Sequence, residues 1–192
     1  MSSEFVDVPL VKSNKIEARP YQETIYMKSK DSNSLVVLPT GLGKTLIAVM
    51  VIGSRLNNLN GKALFLAPTK PLVLQHLETL EENLQIDNDN IEHLTGEISP
   101  EDRKKIWEES KIIVATPQTI ENDLMRGLSL KNVVITVFDE SHRATGDYSY
   151  VYLAKKYMKK SKDPQIMGLT ASPGSGDKIE EVMDNLFIEN IE

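Results

Sequence analysis

Short, continuous apolar runs alternate along this chain with longer stretches in which apolar residues return at helical spacing. The runs at 35–38, 63–67, 91–94, 112–115, 133–138 and 165–169 are each bounded by turn-forming residues, which predicts six buried strands. Between them, Leu46, Ile47, Met50, Val51, Ile52 and Leu56 mark one helix that ends at the polar stretch 57–61. Leu72, Val73, Leu74, Leu77 and Leu80 mark a second, with Pro71 in its first turn. Ser99-Pro100-Glu101-Asp102 reads as cap, proline and acidic third residue opening a helix through Ile106 and Trp107. Thr116-Pro117 repeats that device before Ile120 and Leu124, and Gly127 stops the element. Shorter helices are predicted over 24–30, 150–158 and 179–186.

Strands and helices in strict alternation predict an α/β domain with a mostly parallel sheet covered by helices on both faces. Residues 1–18 show no clear period and are expected to form a lead-in of uncertain order, with the domain proper over 19–192. Sheets of this kind bind ligands beyond the carboxyl ends of their strands. The Pro-, Gly-, Thr- and acid-rich segments of this chain follow its strands at that end.

Composition narrows the setting without changing the fold. A 40% hydrophobic and 26% charged chain is ordinary for a globular domain, which sets disorder and fibrous architectures aside. Cysteine is absent, so there is no disulfide framework and no thiolate metal site. No window approaches about 18 consecutive apolar residues, and Glu4 and Asp7 stand where a signal peptide carries positive charge, so a soluble cytoplasmic protein with no membrane partner is expected. The net charge of −6 opposes broad polyanion binding, and any nucleic-acid contact must be local.

The chemistry concentrates at 39–45, Pro39-Thr40-Gly41-Leu42-Gly43-Lys44-Thr45. Gly41 and Gly43 let the backbone fold around phosphate oxygens, the following helix N-terminus favours anions, Lys44 adds a point charge, and the Thr45 hydroxyl can ligate Mg²⁺. The strict phosphate-loop pattern has an earlier glycine where this chain has Leu38. Asp139-Glu140, after the fifth strand, supplies the other half of a nucleotide site: Asp139 to hold Mg²⁺ and Glu140 to deprotonate an attacking water. His76, His93 and the basic run 155–162 read more plainly as structural or solvated.

Taken in order, 39–45, the string Ala67-Pro68-Thr69-Lys70-Pro71-Leu72, Thr116-Pro117-Gln118-Thr119, Asp139-Glu140-Ser141-His142 and Thr170-Ala171-Ser172 resemble motifs I, Ia, Ib, II and III of superfamily 2 helicases. The longer strings around them are most similar to the archaeal Hef helicase-nuclease group, whose eukaryotic relatives are the Fanconi anaemia M and Mph-type DNA translocases. That family often lacks the early glycine, so Leu38 fits it. Ser141 departs from the Asp-Glu-Ala-His common there, and activity is expected to survive the change.

The resemblance implies a RecA-like P-loop NTPase domain that binds ATP and Mg²⁺. Arg19 and Gln22 resemble its adenine-recognition segment. Pro68, Thr69, Lys70, Thr95, Gly96, Thr116, Gln118 and Thr119 resemble residues along a nucleic-acid track. Hydroxyls and amides at helix starts can hold phosphates without an excess of Lys and Arg, which reconciles such a track with the acidic net charge. His142, Thr170 and Ser172 resemble the groups that couple nucleotide state to that track. The expected partner is nucleic acid, DNA in preference to RNA, through backbone contacts.

Superfamily 2 enzymes carry a second RecA-like lobe with an arginine finger. No Gln-x-x-Gly-Arg-x-Gly-Arg-like string occurs here. The chain is therefore expected to be the first, ATP-binding lobe of a DNA helicase or translocase acting on forked or branched DNA, as part of a helicase-nuclease. The competing expectations are an RNA-dependent ATPase of the RNA-sensing type and, for this chain by itself, a nucleotide-binding module with negligible hydrolysis.

Overall fold

In chain order, the computed structural model, which describes residues 4–192, places α1 at Pro20–Ser29, β1 at Ser34–Val37, α2 at Lys44–Asn58, β2 at Lys62–Leu66 and α3 at Lys70–Asn83. Then come β3 (Ile91–Leu94), α4 (Pro100–Glu109), β4 (Ile112–Ala115), α5 (Pro117–Met125) and β5 (Val133–Phe138). The chain continues through α6 (Ser149–Lys160), β6 (Ile166–Thr170), α7 (Asp177–Asn185) and β7 (Asn190–Ile191). The seven strands form one sheet in the order β3-β4-β2-β5-β6-β1-β7, parallel at every pairing. The first six are the predicted strands, displaced by a residue or less. β7 was not foreseen, because its two residues are exposed and carry no apolar run.

Alternation along each strand divides the core. Ala63 and Phe65 of β2 face a cluster with Ile47, Met50 and Val51 of α2 and Val73 and Leu80 of α3, whereas Leu64 and Leu66 face one with Ile120 of α5, Leu153 and Tyr157 of α6 and Val182 of α7. The run from Ile47 to Ser54 in α2 is buried throughout, as expected for a helix packed against the sheet and against α1 and α3. Ser99 caps α4 as its sequence predicts, accepting from the Asp102 amide. Thr116 does not cap α5 this way; its hydroxyl pairs with that of Thr119 at 2.8 Å.

The expected lead-in of uncertain order is corrected for residues 4–18. Val6, Val8, Val11 and Ile16 are buried in the α2 side of the core, and isolated bridges join Phe5 to Glu17 and Val11 to Leu84. The segment crosses α2 so closely that a Cβ on Gly53 would lie 2.5 Å from the Pro9 carbonyl oxygen. Residues 1–3 lie outside the described part. The helix expected over 24–30 starts earlier, at Pro20, because proline suits a first helical turn.

At the opposite end of the sheet from the motifs, the Lys62 ammonium donates to the Trp107 carbonyl and lies 4.6 Å from the indole centroid. Burial pushes its pKa down to about 8. The unfolded chain therefore binds more protons than the folded one between about pH 8 and the ordinary lysine value near 10.4, and this residue's contribution to stability rises with pH across that window. Relative to wild type, Lys62→Met should gain on the order of 1 kcal/mol at pH 7, the figure being small because the site is partly exposed, and should lose that gain by pH 10. Urea midpoints at the two pH values test this; a constant difference would contradict it.

Candidate nucleotide and nucleic-acid site

The carboxyl ends of neighbouring strands are tied side by side. Just past the strands, the Leu38 amide donates to Thr170, the Asp139 amide to Leu66, the Ala67 amide to Ala115 and the Thr116 amide to Leu94. The strand order puts β6 between β1 and β5, so Thr170 stands between the phosphate loop and the acidic pair. Residues far apart in sequence thus share one rigid edge.

In the loop, Gly41 and Gly43 have φ of 87° and 82°, in the left-handed region that favours glycine. At Gly43 space also forbids a side chain, since a Cβ there would meet Gln22 Nε2 at 2.3 Å. Lys44 Nζ donates to the Leu38 carbonyl at 2.7 Å, a bond that a phosphate oxygen could replace. The Leu38 side chain packs against the core, which accounts for an apolar residue in place of the early glycine.

Gln22 is buried and donates to the Leu42 carbonyl at 3.0 Å; Tyr21, which the sequence did not single out, donates to the same oxygen at 2.9 Å. The N-terminal helix thus grips the phosphate loop. Arg19 is exposed and pairs with Glu17 at 3.5 Å, away from the loop's hydrogen bonds.

Glu140 follows β5 with φ of 51° and ψ of 44°, a left-handed conformation that non-glycine residues adopt at a cost and that clusters at functional sites. Its carboxylate is 3.5 Å from His142 Nε2, and His142 Nδ1 is 3.1 Å from the Thr170 hydroxyl. That hydroxyl also accepts from the Ser172 amide at 3.2 Å. The structure therefore joins Glu140, His142, Thr170 and Ser172 in one polar chain. Ser141 is fully buried and donates to the Leu169 carbonyl at 3.0 Å, which satisfies its hydroxyl inside the domain.

Asp139 is 7% exposed, and its Oδ2 accepts from His76 Nε2 at 2.6 Å. The plain reading of His76 as structural missed this contact. The one available signal was its position between Val73 and Leu80 on the buried stripe of α3, where an apolar residue is usual. Tyr150 was missed too. Buried completely, its hydroxyl donates to both the Asp139 and Leu66 carbonyls, and burial raises its pKa well above the ordinary value.

The donor set fits ATP with Mg²⁺. Magnesium prefers hard oxygen ligands and is usually held by one or two protein groups plus substrate phosphates. Thr45 and Asp139 offer a hydroxyl and a carboxylate, and among the described residues no cluster of three or more His, Cys, Asp or Glu forms a metal cage of its own.

Along the remaining strand ends, Thr69, Gly96 and Gln118 are exposed, while Pro68, Lys70 and Thr116 are partly covered. Lys70 pairs with Glu97. Thr95 and Thr119 are 4% and 5% exposed, so the expected row of hydroxyls is interrupted: their side chains turn into the domain and not onto its surface. Among the described residues no helix is long and apolar enough to cross a membrane.

The sequence pattern of the DEAD/DEAH box helicase family matches residues 19–182. The chain is 45% identical over 190 residues to a Methanocaldococcus jannaschii protein named only provisionally as an ATP-dependent RNA helicase, covering 98% of this chain and 24% of that one. It is 41% identical over 177 residues to the ATP-dependent DNA helicase mph1 of Neurospora crassa, covering 91% and 15%. The crystal structure of the Pyrococcus furiosus Hef helicase domain superposes with a TM-score of 0.93 at 55% identity, over 95% of this chain and 39% of that one. This chain thus spans a quarter or less of the length of the two helicases compared.

Proposed function

We propose, for a chain that belongs to the DEAD/DEAH box helicase family and has its RecA-like fold, that it is the ATP-binding first lobe of a DNA helicase or translocase that works on forked or branched DNA. The observation that carries this is the side-by-side arrangement of Lys44, Thr170 and the Asp139-Glu140 pair at the ends of three adjacent strands, with the 68–70 and 116–119 segments on the strands beyond. One edge then serves both ligands. The identity to mph1, named a DNA helicase, supports DNA, and the resemblance of the motif strings to the Hef helicase-nuclease group supports membership of a helicase-nuclease.

In this reading Lys44 leaves the Leu38 carbonyl to take a phosphate oxygen, and the loop amides after Gly41 and Gly43 surround the rest. Thr45 and Asp139 would hold Mg²⁺, which supplies neutralisation of charge on the transferring phosphoryl group. Gln22 would take the base by exchanging its bond to Leu42 for an adenine edge, and Arg19 would have to leave Glu17 to join it. Glu140 takes the proton of the attacking water, and its link through His142 to Thr170 and Ser172 carries the phosphate state toward the nucleic-acid side. A second RecA-like lobe brings the arginine that completes the transition state.

The test compares ATP turnover of the intact protein with branched DNA and with double-stranded RNA. Stimulation by DNA is expected to be the larger; greater stimulation by RNA would favour the RNA-dependent alternative. The 192-residue chain alone is expected to bind ATP·Mg²⁺ weakly and to show negligible DNA-stimulated turnover.

A further inference from the structure

Helix α3 buries Val73, His76, Leu80 and Asn83 along one stripe; Val73 and Leu80 are the aliphatic residues that such a stripe calls for, and Asn83, at the helix end, satisfies its amide on the Thr79 carbonyl. His76 fits neither description, and it is poorly accommodated as mere packing. Its side chain is 5% exposed, and its Nδ1 is buried without a hydrogen-bond partner among the described residues. A buried polar nitrogen left this way is unfavourable. The ring is nevertheless held firmly, with its centroid 4.5 Å from that of Phe65 and its Nε2 2.6 Å from Asp139 Oδ2.

The Asp139 carboxylate is itself only 9% exposed and can only accept, so Nε2 must carry the proton of this bond. The other oxygen, Oδ1, has no hydrogen bond among the described residues, and the little surface the carboxylate keeps, 9% of the side chain, lies on this otherwise tied residue. Around the same residue, the Asp139 amide donates to Leu66 and its carbonyl accepts from Tyr150 at 2.7 Å. Main chain and one carboxylate oxygen are pinned, and one oxygen is left to offer.

We propose that His76 is a positioning residue: its Nε2–H fixes the rotation of the Asp139 carboxylate so that the free oxygen is presented for Mg²⁺·ATP. The proposal rests on the nucleotide-site reading above. Groups that orient a metal-binding carboxylate act by lowering its freedom and tuning its basicity, and their loss commonly weakens metal binding about 10- to 100-fold. Because α3 begins at Lys70, directly after Pro68 and Thr69, a movement of that helix would also reach Asp139 through this bond.

The experiment titrates Mg²⁺ into the 192-residue chain with a fluorescent ATP analogue and reads the half-saturating metal concentration. His76→Phe, which keeps a ring against Phe65 but removes the donor, should raise that concentration about 10-fold or more, while His76→Gln, which keeps an N–H, should stay within about 3-fold of wild type. Nucleotide affinity without Mg²⁺ should be equal in all three. An unchanged Mg²⁺ requirement in His76→Phe, or equal loss in both variants, would overturn the proposal. A second readout needs no nucleotide. With three histidines in the chain, the nitrogen spectrum of the metal-free wild type should show one slowly exchanging imidazole Nε2–H, lost in Asp139→Ala. If His76→Phe does not fold, or if the wild type binds no nucleotide and the site reading itself fails, this spectrum decides the contact, and its absence overturns the proposal.

Discussion

Lys44→Ala and Glu140→Gln should each reduce the ATP turnover of the intact protein by about 100-fold or more, and they should do so differently. Lys44 sits in the loop and donates to the Leu38 carbonyl, so its removal takes away a charge from the phosphates in ground and transition states alike. The expected result is weaker ATP binding together with the loss of turnover. Glu140 lies beyond the strand end in a strained left-handed conformation, 3.5 Å from His142, where it can reach a water but is not built into the loop. Glu140→Gln should therefore bind ATP with near wild-type affinity and fail to hydrolyse it. Equilibrium binding and steady-state turnover on the same preparations separate the two. Full turnover in Glu140→Gln would remove Glu140 from the role of base and leave the polar chain to His142 and Thr170 with a structural meaning only.

Asp123→Ala should destabilise the domain by about 3–5 kcal/mol without touching the nucleotide edge. Asp123 of α5 accepts two hydrogen bonds from Arg103 of α4, both at 2.7 Å, and the two side chains are 8% and 6% exposed. The bond to Asp123 also raises the pKa of the guanidinium, which remains charged in every accessible condition. Removing the carboxylate strands that charge in a site with little water. The pair itself is worth far less than its rupture, so the double replacement Arg103→Met with Asp123→Leu should recover most of the loss. Urea unfolding at an unchanged slope measures both; for a domain of this size the single variant should melt about 6–20 °C lower. A loss below about 1 kcal/mol would mean that water reaches Arg103 in the native state.

The motifs were legible because each is local. The phosphate loop is a strand end, two glycines and a helix start within a few residues, and the acidic pair is the end of one apolar run. Cap chemistry was less secure: Ser99 behaves as its pattern says, whereas Thr116 spends its hydroxyl on Thr119, since the same residue types allow both bonds. Burial at single positions was not legible either. Thr95 and Thr119 have surface chemistry and interior places, because a short segment after a strand can turn its side chains either way.

By itself, then, the sequence determined the alternation of strands and helices, the glycine loop, the acidic pair and the order in which they follow one another, because periodicity and turn chemistry act between near neighbours. Only the tertiary structure decided that β6 separates β1 from β5, that residues 4–18 close over α2, and that His76 holds Asp139 from 63 residues away. Those contacts come from how helices and strands pack onto one sheet. That packing is fixed by the fit of two whole faces, and no single stretch of the chain contains it.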